Sequence, residues 1–466
     1  MPTGGTCGPG SPLSEGGRDA ALRALLEIEA GVPPARALDA ALRGVGDPRE
    51  RALATELAYG VTRQRGALDA LLAPFCHRGL AGLDPAVSCV LRLGAYQLRH
   101  LDRVPAYAAV QTSVDLLRRH GPPAAAGLVN AVLRRLEAAP RGPEAPPPGD
   151  DLEALAVASS HPAWLVRRWA ARLGRAETEA LLASNNRRPG VCLRPNALRT
   201  DAAGLLAELA GSGIRGRPGR WLPEAVILER GGAPGDLPAL RQGRCTVQGE
   251  ASMLVAHVAA PRPGDLCLDV AAAPGGKATH LAEWMGDRGT VVANDIDGRR
   301  AQLCVEAAAR LGLRAVQPHS ADARRLPEAF GGRCDVVVAD VPCTGLGTLA
   351  SRPDLRWRKQ EADIATVAAL QAEILGAAAA CVKPGGILVY STCTTEPEEN
   401  ELVVADLLGS HPEFQPLDLR GRIPAALADS PSAQAGLLRL WPHVHGTDGF
   451  FIAGLRRCER RADHGG

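Results

Sequence analysis

Residues 268–280 read LDVAAAPGGKATH: an apolar run, then a loop carrying Gly275 and Gly276, then the start of a helix. Working outward from it, LCLDVA (266–271) is the first of a series of short apolar runs. TVVANDI (290–296), AVQPHSA (315–321), CDVVVADVP (334–342) and GILVYSTC (386–393) follow. Helical segments at 280–286, 299–312 and 361–382 separate most of them. Strand and helix in alternation predict a parallel sheet with helices on both faces. Ligands bind such sheets at the carboxyl ends of the strands. The residues just after each run are therefore the candidates for chemistry.

Upstream the rhythm differs. The segments 18–31, 50–75, 85–101, 105–121 and 124–139 repeat apolar residues every three to four positions, with short Pro/Gly joints between them and the pairs Arg118–Arg119 and Arg134–Arg135 near helix ends. They predict at least five helices in a bundle. RGPEAPPPGDD (141–151) holds four prolines and reads as a semi-rigid linker. Residues 152–190 read as short helices. VCLRP (191–195), AVILE (225–229) and CTVQ (245–248), with one helix at 200–213, predict a small α+β module.

The chain has 466 residues, 46% hydrophobic and 22% charged, which excludes a fully disordered chain and suggests several domains. The net charge of +2 hides an asymmetry. Residues 18–140 carry 16 Arg against 12 acids (+4), and residues 151–263 carry 15 against 10 (+5). Residues 264–455 carry 17 basic against 24 acidic residues (−7). A basic front on an acidic back suits a polyanion held by the front, although solvated faces alone could produce the same imbalance. The 12 cysteines include no CxxC and no zinc-ligand spacing, so no metal is expected. No run of 18 apolar residues occurs, and residues 1–17 lack the pattern of a signal peptide, which points to a cytoplasmic protein and no membrane.

At the strand ends, Gly275 and Gly276 let backbone approach a ligand, without the Walker or GxGxxG spacing of phosphate binders. Asp295 after the second run could accept both hydroxyls of a ribose, and Asp322 after the third could accept an adenine amino group. Each acid alone could equally be a helix cap. Together they fit an adenosyl ligand without phosphate, S-adenosyl-L-methionine. Asp340 and Cys343 follow the fourth run and Cys393 the fifth. Most of the twelve cysteines read as buried filler; these two stand where chemistry is expected. Lys277 is one of only three lysines in the chain and sits beside the cofactor loop.

DVAAAPGGK (269–277), DVPCTGLG (340–347) and YSTCTTEPEEN (390–400) together resemble the RNA 5-methylcytosine methyltransferases over roughly residues 245–455. The helical front resembles the NusB-type RNA-binding domain. The resemblance implies a multidomain fold: a flexible leader (1–17), an all-α NusB-like bundle (18–140), the linker (141–151) and a helical and small α+β module (152–263). A Rossmann-like α/β class I methyltransferase domain (264–456) and a flexible tail (457–466) complete it. It implies Cys393 as the nucleophile on cytosine, Cys343 as the base that assists release, and Asp340 against the pyrimidine edge. Lys277 would contact Asp340 or the methionine end. Ala271, Ala272, Ala273, Pro274, Gly275, Gly276 and Lys277, with Asp295, Asp322 and Asp340, would bind S-adenosyl-L-methionine. The implied partner is 16S ribosomal RNA, naked or early in assembly, and the implied enzyme is a monomer. Transfer RNA is the alternative substrate, and a catalytically silent RNA-binding scaffold is the alternative role. Arg352, Arg356, Trp357 and Arg358 are expected to contact the RNA strand. Ala271 replaces the family's usual Cys, and Ala350 and Ser351 replace a common Arg pair.

Overall fold

The computed structural model describes residues 16–76, 79–140, 151–230, 235 and 237–459. Nearly all of the expected leader and linker, and most of the expected tail, lie outside the described residues. The chain forms two compact units, residues up to Leu182 together with Arg352–Arg358, and the remainder.

The first unit is helical. It contains α1 (Gly17–Glu29), α2 (Pro34–Ala41), α3 (Pro48–Leu72), α4 (Pro85–His100), α5 (Ala106–His120) and α6 (Ala126–Ala138). The helices α7 (Leu152–Ala158) and α8 (Ala163–Leu173) follow, then α9 (Arg175–Asn186), whose last residues leave the unit. Asp47 and Asp84 cap α3 and α4 by accepting backbone N–H bonds, and proline occupies the first position of both helices. The apolar stripes meet in one core that includes Leu22, Leu57, Leu68, Val90, Leu91, Val110, Leu117, Val129 and Leu133. Gly60 on α3 is required by packing, because a Cβ there would lie 2.2 Å from Cζ of Tyr96 on α4.

Segment Arg352–Arg358 belongs to this unit and corrects one expectation. Arg356 is fully buried and donates to the backbone carbonyls of Ser160 (3.0 Å) and Arg63 (3.4 Å). Trp357 Nε1 donates to the Thr62 carbonyl at 2.8 Å, and its ring fills the space that Gly66 leaves open. These two side chains face the protein interior, not an RNA strand. Arg352 and Arg358 are exposed, and Arg358 pairs with Asp354 at 3.2 Å.

The second unit opens with an antiparallel sheet of β1 (Val191–Pro195), β2 (Arg215–Pro218), β3 (Val226–Arg230) and β4 (Cys245–Val247), in the order β2-β3-β1-β4. Helix Ala202–Gly211 packs on it through Leu205 and Leu209. The large sheet holds β5 (Leu266–Asp269), β6 (Thr290–Asn294), β7 (Val316–His319), β8 (Cys334–Asp340) and β9 (Val382–Thr392). It also holds β10 (Phe414–Pro416), β11 (Leu437–Leu440) and β12 (Phe450–Arg457). Its order is β10-β12-β9-β8-β5-β6-β7, with β11 beside β12. Strands β5 to β9 are parallel, as expected; β10, β11 and β12 add an antiparallel edge. Successive β8 residues alternate between two cores: Val336 and Val338 with Met253 and Leu281, Val337 and Ala339 with Ile374 and Leu375. Helix Glu250–Ala259, ahead of the expected boundary at 264, contributes Met253, Leu254 and Val258 to the core of the large sheet.

One helix among the described residues, Glu361–Cys381, is long and apolar enough to cross a membrane. Its Ile374, Leu375, Ala378, Ala379 and Cys381 instead share a core with β8 and β9.

Candidate active site

The strand order reverses between β5 and β8, and the site forms at the carboxyl ends of these strands and their neighbours. β5 ends in Asp269, which is 1% exposed. Burial, reinforced by the charge of Asp340, pushes its carboxyl up to about 7, and Lys277 offsets only part of this. The native state thus keeps a proton that the unfolded chain releases near pH 4, so stability falls as pH rises from 4 to 7 and levels off above 7. A displacement from 3.8 to about 7 corresponds to at most about 4 kcal/mol. Asp269→Asn removes the penalty; calorimetry is expected to show a higher Tm than wild type at pH 8 and little difference at pH 4.

Beyond Asp269 the loop is pinned on all sides. Val270 N–H donates to the Val338 carbonyl at 3.0 Å and Ala272 N–H to the Asn294 carbonyl at 2.7 Å. Gly275 has φ +103°, and a Cβ there would lie 2.9 Å from the Cα of Cys304. Arg194 on β1, 1% exposed, holds the helix that follows. It donates to the Gly276 carbonyl (2.8 Å), Thr279 Oγ1 (3.1 Å) and Glu283 Oε1 (2.8 Å), and also to Gln248. Asp295, buried at the end of β6, accepts from Asp297 N–H at 3.1 Å and lies 3.3 Å from Arg300 Nη2. Ile296 beside it is 72% exposed, an apolar surface suited to a planar base. Asp322 follows β7 and is bound by Arg324 at 2.6 Å, which holds its carboxyl down at about 2. Asp322 is therefore an ionised acceptor, shared with Arg324. The site offers backbone and two carboxylates, and its cations are each committed to a carboxylate: Arg300 to Asp295, Arg324 to Asp322, and Lys277 Nζ to Asp340 Oδ2 at 2.7 Å, 5.4 Å from the Phe450 ring. This donor set fits an adenosyl group carrying no phosphate.

β8 and β9 bring the sulfur atoms together. Cys343 Sγ and Cys393 Sγ are 3.2 Å apart. The hydrogen bond to Cys393, then burial, then the charge of Cys393 push the Cys343 thiol well above its ordinary range. Cys343 therefore holds its proton strongly, and either sulfur can be the donor in the contact between them. Asp340 lies on the same edge, accepting from Ser391 Oγ at 2.8 Å and paired with Lys277.

The residue after each cysteine is held by one buried carboxylate. Glu399 accepts from Thr344 N–H (2.8 Å), Thr394 Oγ1 (3.0 Å), Gln371 Nε2 (3.1 Å) and Thr344 Oγ1. Gly347 N–H reaches the Cys393 carbonyl at 3.0 Å, and Gly449 N–H reaches the Gly347 carbonyl at 2.7 Å. A Cβ on Gly347 would lie 2.2 Å from the Gly449 carbonyl oxygen, so no side chain fits there. Glu399→Ala strands four donors, and a displacement of about 1 Å at a reacting atom costs on the order of 10²-fold. A fall in kcat of that size is expected, with cofactor affinity retained and partial rescue by Glu399→Gln. A lowered Tm with normal kcat would show that Glu399 supports only the fold.

The family described as "16S rRNA methyltransferase RsmB/F" matches residues 256–456, the NusB family matches 16–138, and an RsmF/B-like ferredoxin-like domain matches 161–233. The chain belongs to the RsmB/F methyltransferase family. A Bacillus subtilis protein named "Probable ribosomal RNA small subunit methyltransferase B" is 36% identical, over 94% of this chain and 98% of its own length. The Sodalis glossinidius protein named "Ribosomal RNA small subunit methyltransferase B" is 34% identical, over 87% and 89%. The crystal structure of the protein PH0851 superposes with a TM-score of 0.82 at 30% identity, covering 94% of this chain and 99% of that one. A methyltransferase homologue from Pyrococcus horikoshii covers 65% of this chain at a TM-score of 0.56 and 29% identity. As a methyltransferase of the RsmB/F family, the chain uses S-adenosylmethionine as methyl donor. The expected NusB-like bundle and class I methyltransferase domain are both present, and the small α+β module is ferredoxin-like. Reading the sequence missed Arg194, Glu399, Thr344 and Ile296. Glu399 lies inside the quoted YSTCTTEPEEN motif, but nothing local showed which of its acids turns inward.

Proposed function

We propose that the chain methylates carbon 5 of one cytosine in 16S ribosomal RNA through a covalent bond between Cys393 Sγ and carbon 6 of that base. The observation that carries this reading is the 3.2 Å approach of Cys343 and Cys393 at adjacent strand ends beside the Lys277–Asp340 pair. Carbon 5 of cytosine is a weak nucleophile, and a thiolate added at carbon 6 makes it enamine-like. That chemistry needs one sulfur to add and one group to take the carbon 5 proton afterwards. A methyltransferase acting on protein or on a small molecule has no such use for paired thiols.

Gly275, Asp295, Ile296 and Asp322 would hold the adenosyl part of S-adenosylmethionine. When bound, this group supplies an electrophilic methyl carried on a sulfonium sulfur. Cys393 loses its proton to solvent and, as a thiolate supported by the Cys343 thiol, forms the bond to carbon 6. Asp340, fixed by Lys277 and Ser391, receives the polar edge of the base and favours the charge that develops there. Once Cys393 is a thioether, its hydrogen bond and its charge no longer hold the proton on Cys343. Cys343 then loses that proton to solvent and takes the proton from carbon 5. The carbon 5–carbon 6 double bond re-forms as Cys393 leaves. To reach these atoms the base must leave its stack, which unpaired RNA segments permit at least cost. We also propose a monomeric enzyme acting in the cytoplasm, with the domain limits 18–140, 152–263 and 264–456 adjusted so that helix Glu250–Ala259 joins the methyltransferase domain whose core it builds.

Bisulfite sequencing of ribosomal RNA from cells lacking the gene tests the reading: one methylcytosine of 16S RNA is expected to vanish. Persistence of every 16S methylcytosine, or loss from transfer RNA alone, would overturn it. Asp295→Ala is expected to weaken S-adenosylmethionine binding on the order of 10-fold or more in calorimetry, the cost of losing a charged acceptor.

A further inference from the structure

β2 is an edge strand of the four-stranded sheet, and the stretch Ile214–Trp221 (IRGRPGRW) holds three arginines and no acid. Arg215 and Arg217 on β2 are both exposed, as is Arg220, and the pairing of β2 with β3 shifts register between Arg215 and Gly216. Among the described residues no carboxylate is ion-paired with any of the three, whereas Arg194, Arg244 and Arg300 of the same unit each have one. Arg217 Nη1 donates only to the Pro218 carbonyl and Arg220 Nη1 only to the Val444 carbonyl.

The turn after β2 is rigidly built. Glu250, 6% exposed, accepts the backbone N–H groups of Arg220 (3.1 Å), Trp221 (2.8 Å) and Leu222 (3.0 Å). Gly219 must lack a side chain, because its Cβ would lie 2.5 Å from Glu250 Oε1. This fixes a half-buried Trp221, whose indole N–H donates to the His445 carbonyl at 2.9 Å. The guanidinium of Arg220 lies 4.8 Å from the Trp221 ring centroid, and the His445 ring lies 5.7 Å away. Burial lowers the His445 pKa, so it faces Trp221 as a neutral ring. Four residues on from His445, Gly449 bonds Gly347 of the Cys343 loop, and Phe450 lies against Lys277. Four residues span at most about 14 Å. Cations without a carboxylate partner leading to a fixed pair of tilted aromatic rings, next to a nucleotide-modifying centre, have the chemistry of a single-strand groove: charge for phosphates, π-faces for bases.

We propose that Arg215, Arg217 and Arg220 with the Trp221–His445 pair form a guide for the single-stranded RNA flanking the target base, with one flanking base stacked at Trp221. This deepens the reading given under Proposed function and rests on RNA being the substrate. The test uses the full chain and unmodified, transcribed 16S RNA, with affinity measured by fluorescence anisotropy across salt concentrations. Each phosphate contact to a single strand contributes about 0.7 to the slope of log affinity against log salt, so an Arg215→Ala/Arg217→Ala/Arg220→Ala variant should lose about 2 from that slope. Trp221→Ala should weaken binding on the order of 10- to 100-fold, and Trp221→Phe should restore most of it. Cofactor affinity and Tm of the arginine variant should match wild type. A wild-type affinity and slope in the arginine variant would overturn the guide while leaving the cytosine reading intact. Equal weakness of Trp221→Phe and Trp221→Ala would reduce Trp221 to a packing residue and overturn the stacking site. Absence of any methylcytosine made by the wild-type chain would instead overturn the reading beneath it.

Discussion

Cys393→Ala is expected to abolish methyl transfer to RNA, by a factor on the order of 10⁴ or more, while S-adenosylmethionine still binds with near wild-type affinity. The proposed reaction has no low-barrier route without a nucleophile at carbon 6, and removal of a covalent nucleophile is the costliest single deletion in enzymes that form adducts. No group near Cys393 can replace it. Cys343 stands on the loop after β8, 3.2 Å from the Cys393 sulfur, and Thr344 on Glu399 fixes it there, so its sulfur does not take the place of the Cys393 sulfur. The cofactor loop is untouched by the substitution: Gly275 packs on Cys304, and Arg194 holds Gly276 from the opposite side. Folding should survive as well, because Thr394 stays bound to Glu399 and the Cys393 carbonyl keeps its bond from Gly347. Transfer of labelled methyl groups to transcribed 16S RNA measures the first quantity and calorimetry the second. Methylation by the Ala variant at a normal rate would remove Cys393 from the mechanism. Cys393→Ser should be nearly as inactive, since a hydroxyl is a far weaker nucleophile than a thiolate.

The parallel part of the large sheet was legible because the core strands β5, β6, β8 and β9 are runs of Val, Ile and Leu ended by a polar residue, the pattern of strands buried on both faces. The cysteines were legible for the same reason: a thiol just past such a run stands where ligands bind. What escaped notice lies where no pattern marks it. β2 is spelled Arg-Gly-Arg-Pro, and an edge strand can carry Gly, Pro and charge because one side needs no partner. The strands β10, β11 and β12 follow no helix-strand alternation, so nothing local announced their antiparallel pairing. Arg194 and Glu399 were missed because a charged side chain is read as solvated unless its partners are known. Each is buried only because groups distant in sequence converge on it, Glu283 in one case and Thr344 in the other. Arg356 and Trp357 failed in the opposite sense. A basic-aromatic cluster suggests nucleic acid, but the carbonyls of Arg63, Ser160 and Thr62 claim both side chains. The contrast with Arg220 and Trp221 is instructive. The two Arg-Trp pairs look alike in sequence, yet only the second leaves its guanidinium exposed and without a carboxylate.

Cys343→Ala is expected to arrest the reaction after methyl transfer, with RNA covalently attached through Cys393. The two halves of the proposed reaction ask different things of Cys343. In the first half the Cys343 thiol, 3.2 Å from Cys393 Sγ, would donate to the thiolate formed there, and losing that bond would cost Cys393 about 1–3 kcal/mol of anion stabilisation, so addition slows without stopping. In the second half a base must take the carbon 5 proton, and the other titratable groups beside the sulfur are poorly suited. Asp340 is committed to Lys277 and Ser391, and Glu399 is buried behind Thr344. Addition slowed moderately and elimination slowed severely together produce an accumulating adduct. A denaturing gel of Cys343→Ala incubated with 16S RNA and S-adenosylmethionine should show a shifted band that nuclease removes, and Cys343→Ala/Cys393→Ala should show none. Release in the wild type should also quicken as pH rises toward the titration of the Cys343 thiol, because only its thiolate accepts the proton, whereas decay of the adduct in Cys343→Ala should lose that dependence. A Cys343→Ala protein that turns over normally and forms no adduct would assign the second proton transfer to another group and leave the thiol pair only its first role.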